Sequence, residues 1–133
     1  MMIGLLIITH NNIGDELVKT ATAMLGMCPI ITEVLAVMPS SDPDAVLREA
    51  RALLCKLNKG VGVLVLTDMY GSTPSNIAVH LVDEKQVKVI AGINLPMLVR
   101  VLNYPQLGLQ ELANKALSGG RDGILLCSPL SEA

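Results

Sequence analysis

Short apolar runs alternate with longer amphipathic segments along the chain, and this alternation predicts its secondary structure. Short runs that are rich in aliphatic and β-branched residues are typical of buried strands. Two of them, residues 3–9 and 61–67, are apolar on both faces, as expected for the central strands of a parallel sheet covered by helices. We predict strands over residues 3–9, 61–67, 87–91 and 123–127, and a strand nearer the sheet edge, which carries one charge, over residues 30–38.

The segments between these runs carry helix signals. In the first of them, apolar residues recur at spacings of three and four, which is typical of a helix packed on a core. N-cap residues, prolines at the first helical position and glycines mark where further helices begin and end. These signals predict a first helix with the apolar face Leu17, Val18, Ala21, Met24 and Leu25, helices beginning at Asp42-Pro43, Thr73-Pro74 and Asn94, and a last helix over residues 108–117 that Gly119-Gly120 closes.

Strand–helix alternation of this kind predicts an α/β fold, with a doubly wound, mostly parallel sheet and helices on both faces. Right-handed crossovers restrict the topology, and winding outward on one side and then on the other gives the strand order 2-1-3-4. Residues 1–133 are expected to form a single domain, because the length fits one domain and no linker, repeat or low-complexity tract interrupts it. Ligands of such sheets bind at the carboxyl ends of the strands, where the winding reverses.

Two polar residues stand where the two central strands of this order end. His10 ends the first strand, and Asp68 follows the third. Neutral imidazole is a nucleophile near neutral pH, and a carboxylate bonded to its second nitrogen fixes the tautomer and stabilises the developing positive charge. Each residue alone has a simpler interpretation, because a histidine at a strand end is more often structural and an aspartate there is commonly a turn former.

The residues around these strand ends favour a phosphoryl group as the group that is transferred. Helix starts after Asn12 and at Pro74 leave backbone N–H groups unpaired, which makes a ready site for an anion. Ser72 and Thr73 add hydroxyl donors beside the second helix start. Together with the acid, these residues predict a phosphoryl-accepting histidine.

Composition makes nucleic acid an unsuitable partner. The chain has no Phe or Trp and only two Tyr, its formal net charge is -2, and its Lys and Arg residues are scattered singly. It therefore lacks the aromatic stacking surface and the basic footprint that nucleic-acid binding needs. The same composition predicts an aliphatic core filled by Leu, Ile, Val, Ala and the seven Met.

Cys28, Cys55 and Cys127 are odd in number and far apart, and each lies among apolar residues. They are expected to be buried thiols in a reducing compartment. The apolar start of the chain is too short for a membrane span and has no basic leader, so a cytoplasmic protein without membrane insertion is expected. Two isolated histidines without nearby cysteine or acidic ligands predict no metal site, and the chain presents no motif for a cofactor.

Three segments resemble a known family, the enzyme IIA component of the mannose class of the bacterial phosphoenolpyruvate-dependent sugar phosphotransferase system. "IGLLIITH" is similar to the strand that leads to the family's phosphorylated histidine, which places that role on His10. "LTDMYGSTPSNIA" resembles the family's Asp-x-x-Gly-Gly-Ser-Pro-x-Asn-x-Ala loop, which makes Asp68 the partner of the histidine. "AGINLPMLVRVL" resembles its Gly-x-Asn-Leu-Pro-Met-Leu segment. With this resemblance, the residues expected to line the phosphate site are Thr9, Gly71, Ser72, Thr73, Asn94 and Met97.

The resemblance also implies partners. Family members take a phosphoryl group from the phosphocarrier protein HPr and pass it to an enzyme IIB partner, which phosphorylates incoming sugar, and they use no cofactor. They are homodimers that exchange a final strand, a role expected here for residues 123–127 behind the hinge Gly119-Gly120. Because the chain ends at Ala133, no fused IIB domain is expected, and IIB is expected to act in trans. Any association with a membrane permease would be peripheral.

The chain departs from the family's pattern at five positions that are expected on the docking rim. These departures leave the histidine and its acid in place, so phosphorylation is still expected. They bear instead on which partner and which sugar are recognised. They are Asn11 for a frequent glycine, Ser72 for a second glycine, Thr73 for serine, Ser75 for an aromatic residue and Arg100 for an acidic residue.

Two other classes of protein fit parts of this pattern. A regulatory phosphoprotein would use the same phosphorylation of His10 without a direct role in transport. A receiver-like signalling domain has a similar winding, but it needs paired acids after the first strand and a lysine after the last. The chain offers His10-Asn11 and Cys127-Ser128 at those places. The receiver-like alternative is therefore disfavoured, and the regulatory one stays open.

Overall fold

A four-stranded parallel sheet forms the centre of the molecule in the computed structural model, which describes residues 2–129. Met1 and residues 130–133 of the predicted domain lie outside the described residues. The strand order is β2-β1-β3-β4, which confirms the predicted doubly wound topology. The strands are β1 (Gly4–His10), β2 (Thr32–Val37), β3 (Val63–Thr67) and β4 (Val87–Ala91).

Helices cover both faces of the sheet, as the alternating pattern predicts. One face packs against α1, α4 and α5, and the other packs against α2 and α3. No helix within residues 2–129 is long and apolar enough to cross a membrane. The helices are α1 (Ile13–Leu25), α2 (Pro43–Leu57), α3 (Thr73–Val79), which continues into a short 3-10 helix (His80–Asp83), α4 (Leu95–Leu102) and α5 (Leu109–Asp122).

Alternation along β1 decides which way the residues at its end point. Leu5 and Ile7 join the core beneath α1, α4 and α5, whereas Leu6 and Ile8 join the core beneath α2 and α3. Because side chains alternate across a strand, residue 9 faces the α1 layer and His10 faces the α2–α3 layer. His10 pairs in register with the last residue of β2, at the carboxyl edge of the sheet.

The end of the chain differs from the prediction in two ways. Helix α5 runs through Gly119 and Gly120 to Asp122 and does not close at the glycine pair. The glycines serve close packing, because a Cβ at Gly119 would lie 2.7 Å from the Cβ of Arg100, and one at Gly120 would lie 2.8 Å from the Cε of Met97. The predicted final strand over residues 123–127 is not formed, since residues 124–129 have no regular secondary structure in this single chain.

Two predictions about burial are wrong. All three cysteines are exposed, because Cys28 lies beyond the end of α1, Cys55 on the outer side of α2 and Cys127 in the segment that follows α5. Apolar neighbours in the sequence do not bury a residue that a helix turns toward solvent. Most methionines are also exposed. Among residues 2–129, only Met97 is buried, whereas the side chains of Met2, Met24, Met27, Met38 and Met69 are exposed.

Candidate functional site

His10 and Asp68 meet at the carboxyl ends of β1 and β3. The Nδ1 of His10 lies 2.8 Å from the Oδ2 of Asp68. The backbone N–H of His10 donates to the same oxygen at 3.0 Å, and the backbone N–H of Met69 donates to Oδ1 at 3.0 Å. The carboxylate is therefore held by three donors. The imidazole is 43% exposed and the Asp68 side chain 13%, so the acid lies under a ring that faces solvent.

The electrostatics of Asp68 suit an orienting acid. Burial raises the pKa of this carboxyl group, but hydrogen bonds from the side chain and backbone of His10, Coulombic attraction to His10 and the bond from Met69 outweigh it. The net effect holds the pKa of Asp68 below its ordinary value of 3.8. An ionised carboxylate accepts hydrogen bonds only, so it requires a proton on Nδ1 of His10. The Nε2 of the neutral ring then carries the free lone pair.

Thr9 fixes the turn between His10 and helix α1. Its fully buried hydroxyl accepts a hydrogen bond from the backbone N–H of Gly14 at 2.8 Å. Asn12, the residue before the helix, makes no side-chain capping bond. The buried hydroxyl of Thr9 caps the first turn of α1 in its place. The expectation that the start of α1 offers unpaired N–H groups is therefore wrong for Gly14, and Thr9 acts as a support rather than as an exposed part of the site.

The turn after β3 carries the second set of predicted residues. Gly71 has a φ of 85°, a left-handed conformation that glycine adopts without strain. The Ser72 hydroxyl donates to the carbonyl of Met69 at 2.5 Å, which closes this turn and precedes the start of α3 at Thr73. Helix α3 begins at Thr73, which lines a cleft with His10, but Pro74 has no N–H and the N–H of Asn76 donates to the carbonyl of Ser72 at 2.8 Å. Within the described residues, only the N–H groups of Thr73 and Ser75 are left without a partner in the first turn of this helix.

His10 opens into a cleft of about 380 Å³ between the turn after β1 and the loop that joins β2 to α2. This loop is not among the residues that the sequence predicts for the site. The predicted strand order could have indicated it. Because β2 neighbours β1 in the order 2-1-3-4, the carboxyl ends of both strands lie at the same edge of the sheet. The residues that line the cleft are His10, Asn11, Val37, Met38, Pro39, Ser41, Pro43 and Thr73.

Most of the chain matches the model of one protein family. The model of the EIIA-man family, described as the PTS system fructose IIA component, matches residues 4–117. The chain belongs to this family. The matched range contains every strand of the sheet, both members of the His10–Asp68 pair and the cleft beside them.

Two curated relatives of this IIA chain differ in length. It is 34% identical over 138 residues to the PTS system mannose-specific EIIAB component of Escherichia coli strain K12, across 100% of the chain and 42% of that relative. It is 37% identical over 68 residues to the PTS system fructose-specific EIIA component of Bacillus subtilis strain 168, across 50% of the chain and 47% of the relative. The chain thus spans less than half the length of the Escherichia coli relative, and the segment matched in the Bacillus subtilis relative also covers less than half of that protein.

Solved structures share the fold. The mannose/sorbose specific IIA subunit of the phosphotransferase system from Enterococcus faecalis superimposes with a TM-score of 0.89 and 22% identity over 100% of both chains. The phosphotransferase system component EIIA from Streptococcus agalactiae gives a TM-score of 0.78 and 24% identity, over 93% of this chain and 96% of that one. These IIA structures establish the architecture.

Two residues that the resemblance placed at the phosphate site have other contacts in this IIA chain. The side chain of Asn94 accepts a hydrogen bond from the N–H of Met97 at 2.9 Å and donates to the carbonyl of Gly120 at 3.1 Å. Met97 is buried beside the same glycine. Both side chains hold α4 to α5, and within the described residues neither lines the cleft that contains His10.

Proposed function

We propose that His10 accepts a phosphoryl group on Nε2 from phosphorylated HPr and passes it to an enzyme IIB partner in sugar uptake. The observation that supports this most directly is the 2.8 Å contact between Nδ1 of His10 and Asp68, which leaves Nε2 as the nucleophile. The half-exposed ring is accessible to a second protein, whereas the carboxylate that orients it is not.

In the proposed transfer, the Nε2 lone pair forms a bond to phosphorus while the bond between phosphorus and the donor's nitrogen breaks. The departing nitrogen keeps the electron pair of the broken bond. The imidazole of His10 then has substituents on both nitrogens and carries positive charge, which the Asp68 carboxylate stabilises across the Nδ1 proton. Passing the group to IIB is the same step in reverse with a different acceptor.

The phosphoryl oxygens need hydrogen-bond donors in the cleft. Thr73 lines the cleft with His10, and its hydroxyl stands at the start of α3. Beside it, the first turn of α3 adds the N–H groups of Thr73 and Ser75, because Pro74 has none and the N–H of Asn76 is bonded to Ser72. Fixed donors of this kind stabilise charge without reorganising during the transfer. Gly71 and Ser72 shape the turn that presents this helix start to the cleft.

The test is phosphorylation of the purified chain with radiolabelled phosphoenolpyruvate, enzyme I and HPr. The expected result is one acid-labile phosphate per chain, absent from a His10→Ala variant. His80→Ala is the matched control, because His80 is the only other histidine in the sequence and its Nδ1 contacts the Asn76 carbonyl at 2.7 Å on the surface. Label that persists in His10→Ala would contradict the assignment.

A chase with IIB separates transport from regulation. If the protein serves uptake, adding unlabelled IIB of the mannose class should move the label from the chain to IIB within the mixing time of the partners. Label that stays on His10 in the presence of several IIB proteins would favour the regulatory phosphoprotein. Phosphorylation of His10 itself is common to both outcomes.

We also propose a homodimer in which the segment after α5 pairs with a second copy. Ile124, Leu125 and Leu126 are 75%, 77% and 101% exposed in the single chain. A run of three exposed aliphatic residues marks an interaction surface, and β4 offers an open sheet edge for strand addition. A second copy related by two-fold symmetry, the commonest arrangement of oligomers, would cover both the exposed segment and the open edge of β4.

A further inference from the structure

The cleft that receives the phosphoryl group contains no cation. None of its eight lining residues is Lys or Arg, and the charged group nearest to His10 is the carboxylate of Asp68. A phosphoryl group carries about two negative charges near neutral pH. Neutral donors on side chains and backbone must therefore supply its hydrogen bonds within the cleft. The cleft's lining includes only three neutral polar side chains besides the imidazole, those of Asn11, Ser41 and Thr73.

Asn11 stands out among these donors because of its backbone. It has a φ of 48°, in the left-handed region that favours glycine, and it directly follows His10. Its N–H donates to the carbonyl of Val37 at 3.0 Å, which fixes the residue between β1 and β2. Its side chain is exposed and lines the same cleft as the imidazole. Asparagine tolerates this conformation and glycine adopts it without strain, so a change to glycine removes the carboxamide and leaves the backbone path as it is.

We propose that the carboxamide of Asn11 donates a hydrogen bond through Nδ2 to the phosphoryl group at Nε2 of His10 during the transfer. This inference rests on the proposed function. The bond to phosphorus forms at Nε2 and breaks at the donor's nitrogen, while Asn11 stays neutral and exchanges no proton. Losing one hydrogen bond to a charged group corresponds to about a 10- to 100-fold change in rate.

The experiment compares Asn11→Gly with Gln86→Gly. Gln86, with a φ of 61°, is the only other non-glycine residue at positive φ within the described residues, and it is exposed immediately before β4, at the opposite edge of the sheet. In both variants the relief of backbone strain is opposed by the greater entropy of an unfolded chain with glycine, so both should change the stability to urea to a similar, small extent. Only Asn11→Gly should slow phosphoryl transfer.

Two phosphoryl donors distinguish an effect of Asn11 within the cleft from an effect on docking of the partner protein. Phosphorylated HPr tests the complete reaction, and phosphoramidate, a small donor without a docking surface, tests the cleft alone. We expect Asn11→Gly to be slowed about 10- to 100-fold with both donors. Asn11→Asp tolerates the left-handed backbone but replaces the donor with an acceptor of negative charge, so it should be slowed at least as much. A folded Asn11→Gly that is phosphorylated at the parental rate by phosphoramidate would overturn the proposal.

Three other outcomes can be told apart: failure of the proposed function, a contact of Asn11 with the partner protein, and an effect of the backbone. If the parent chain takes no phosphate from either donor, the proposed function fails, and the inference about Asn11, which rests on it, is overturned with it. If Asn11→Gly slows transfer from HPr but not from phosphoramidate, Asn11 contacts the partner protein and not the phosphoryl group, which also contradicts the proposal. If Gln86→Gly is slowed equally, the effect belongs to the backbone and the carboxamide has no role.

Discussion

The Nδ1 of His10 lies 2.8 Å from the Oδ2 of Asp68 although 58 residues separate the two along the chain. The same oxygen also accepts the backbone N–H of His10 at 3.0 Å. One carboxylate oxygen thus fixes the backbone and the side chain of the same histidine. Because the ring cannot turn away without losing this contact, the orientation of the free Nε2 is fixed in a residue that lines the cleft beside β2.

This double contact makes Asp68→Asn an informative substitution. An amide has one oxygen, whereas the carboxylate accepts from His10 at one oxygen and from Met69 at the other. If the amide nitrogen faces His10, two donors, this NH₂ group and the backbone N–H, point at each other. The NH₂ group also donates to Nδ1, which favours the tautomer with its proton on Nε2 and so removes the nucleophilic lone pair. We expect transfer from HPr to fall about 10- to 1,000-fold, less than the roughly 10⁴-fold loss in comparable triads, since other donors also stabilise the group.

Circular dichroism would establish that the Asp68→Asn variant is folded. Glu33→Gln is a matched control, because it makes the same change in an exposed ion pair with Lys56, formed at 3.1 Å on the edge strand β2. The control should transfer phosphate normally. A folded Asp68→Asn with the parental rate would reduce Asp68 to a former of the turn after β3.

The lowered pKa of Asp68 predicts a specific dependence of stability on pH. A carboxyl group whose folded pKa lies below its unfolded value binds more protons when unfolded, so its stabilising effect is complete above the unfolded pKa, near 3.8. That effect is lost as the pH falls through the lower folded pKa. The difference in free energy of unfolding between the parent chain and Asp68→Asn should therefore have its full value at and above about pH 5 and shrink as the pH falls below 3.8. Urea titrations at several acidic pH values measure it, and a difference that stays constant down to about pH 2 would contradict the shift.

Thr9 offers a test of how firmly the histidine's turn must be held. Thr9→Val removes the acceptor of the Gly14 N–H and leaves that group buried, at a cost of about 1–3 kcal/mol. Thr9→Ser keeps the hydroxyl and loses a buried methyl group, at a cost of about 0.8 kcal/mol. We expect only the valine variant to transfer phosphate several-fold more slowly, because only its turn loses the bond. Equal transfer rates in both variants would show that this hydrogen bond stabilises the fold without positioning His10.

Much of this architecture could be predicted from local pattern. The strands and their order follow from short aliphatic runs, and the meeting of His10 with Asp68 follows from the rule that parallel strands end at one edge. These features depend on periodicity and topology, which are readable along a single chain. The strand order and all four observed strands confirm that part of the prediction.

What could not be predicted depends on contacts across the fold. Gly119-Gly120 has the appearance of a helix stop, but the pair exists to let α5 approach Arg100 and Met97 on α4. Asn94 has the appearance of a site residue, but its amide is used between the same two helices. A sequence gives the residue types at such positions and not the neighbour from another element that determines their use.

The exposed segment after α5 leads to the last prediction, which concerns assembly. If Ile124, Leu125 and Leu126 pair with a second copy, sedimentation at micromolar concentration should give twice the 14.1 kDa mass of the chain. Leu126→Asp should then give monomers, because the side chain is fully exposed in the single chain, and a charge there costs nothing until a partner covers it. Met24→Asp is the control, since Met24 is also exposed, at 61%, but lies on α1, and this variant should stay dimeric. A parent chain that sediments as a monomer would contradict the dimer, and a Leu126→Asp variant that stays dimeric would place the interface elsewhere.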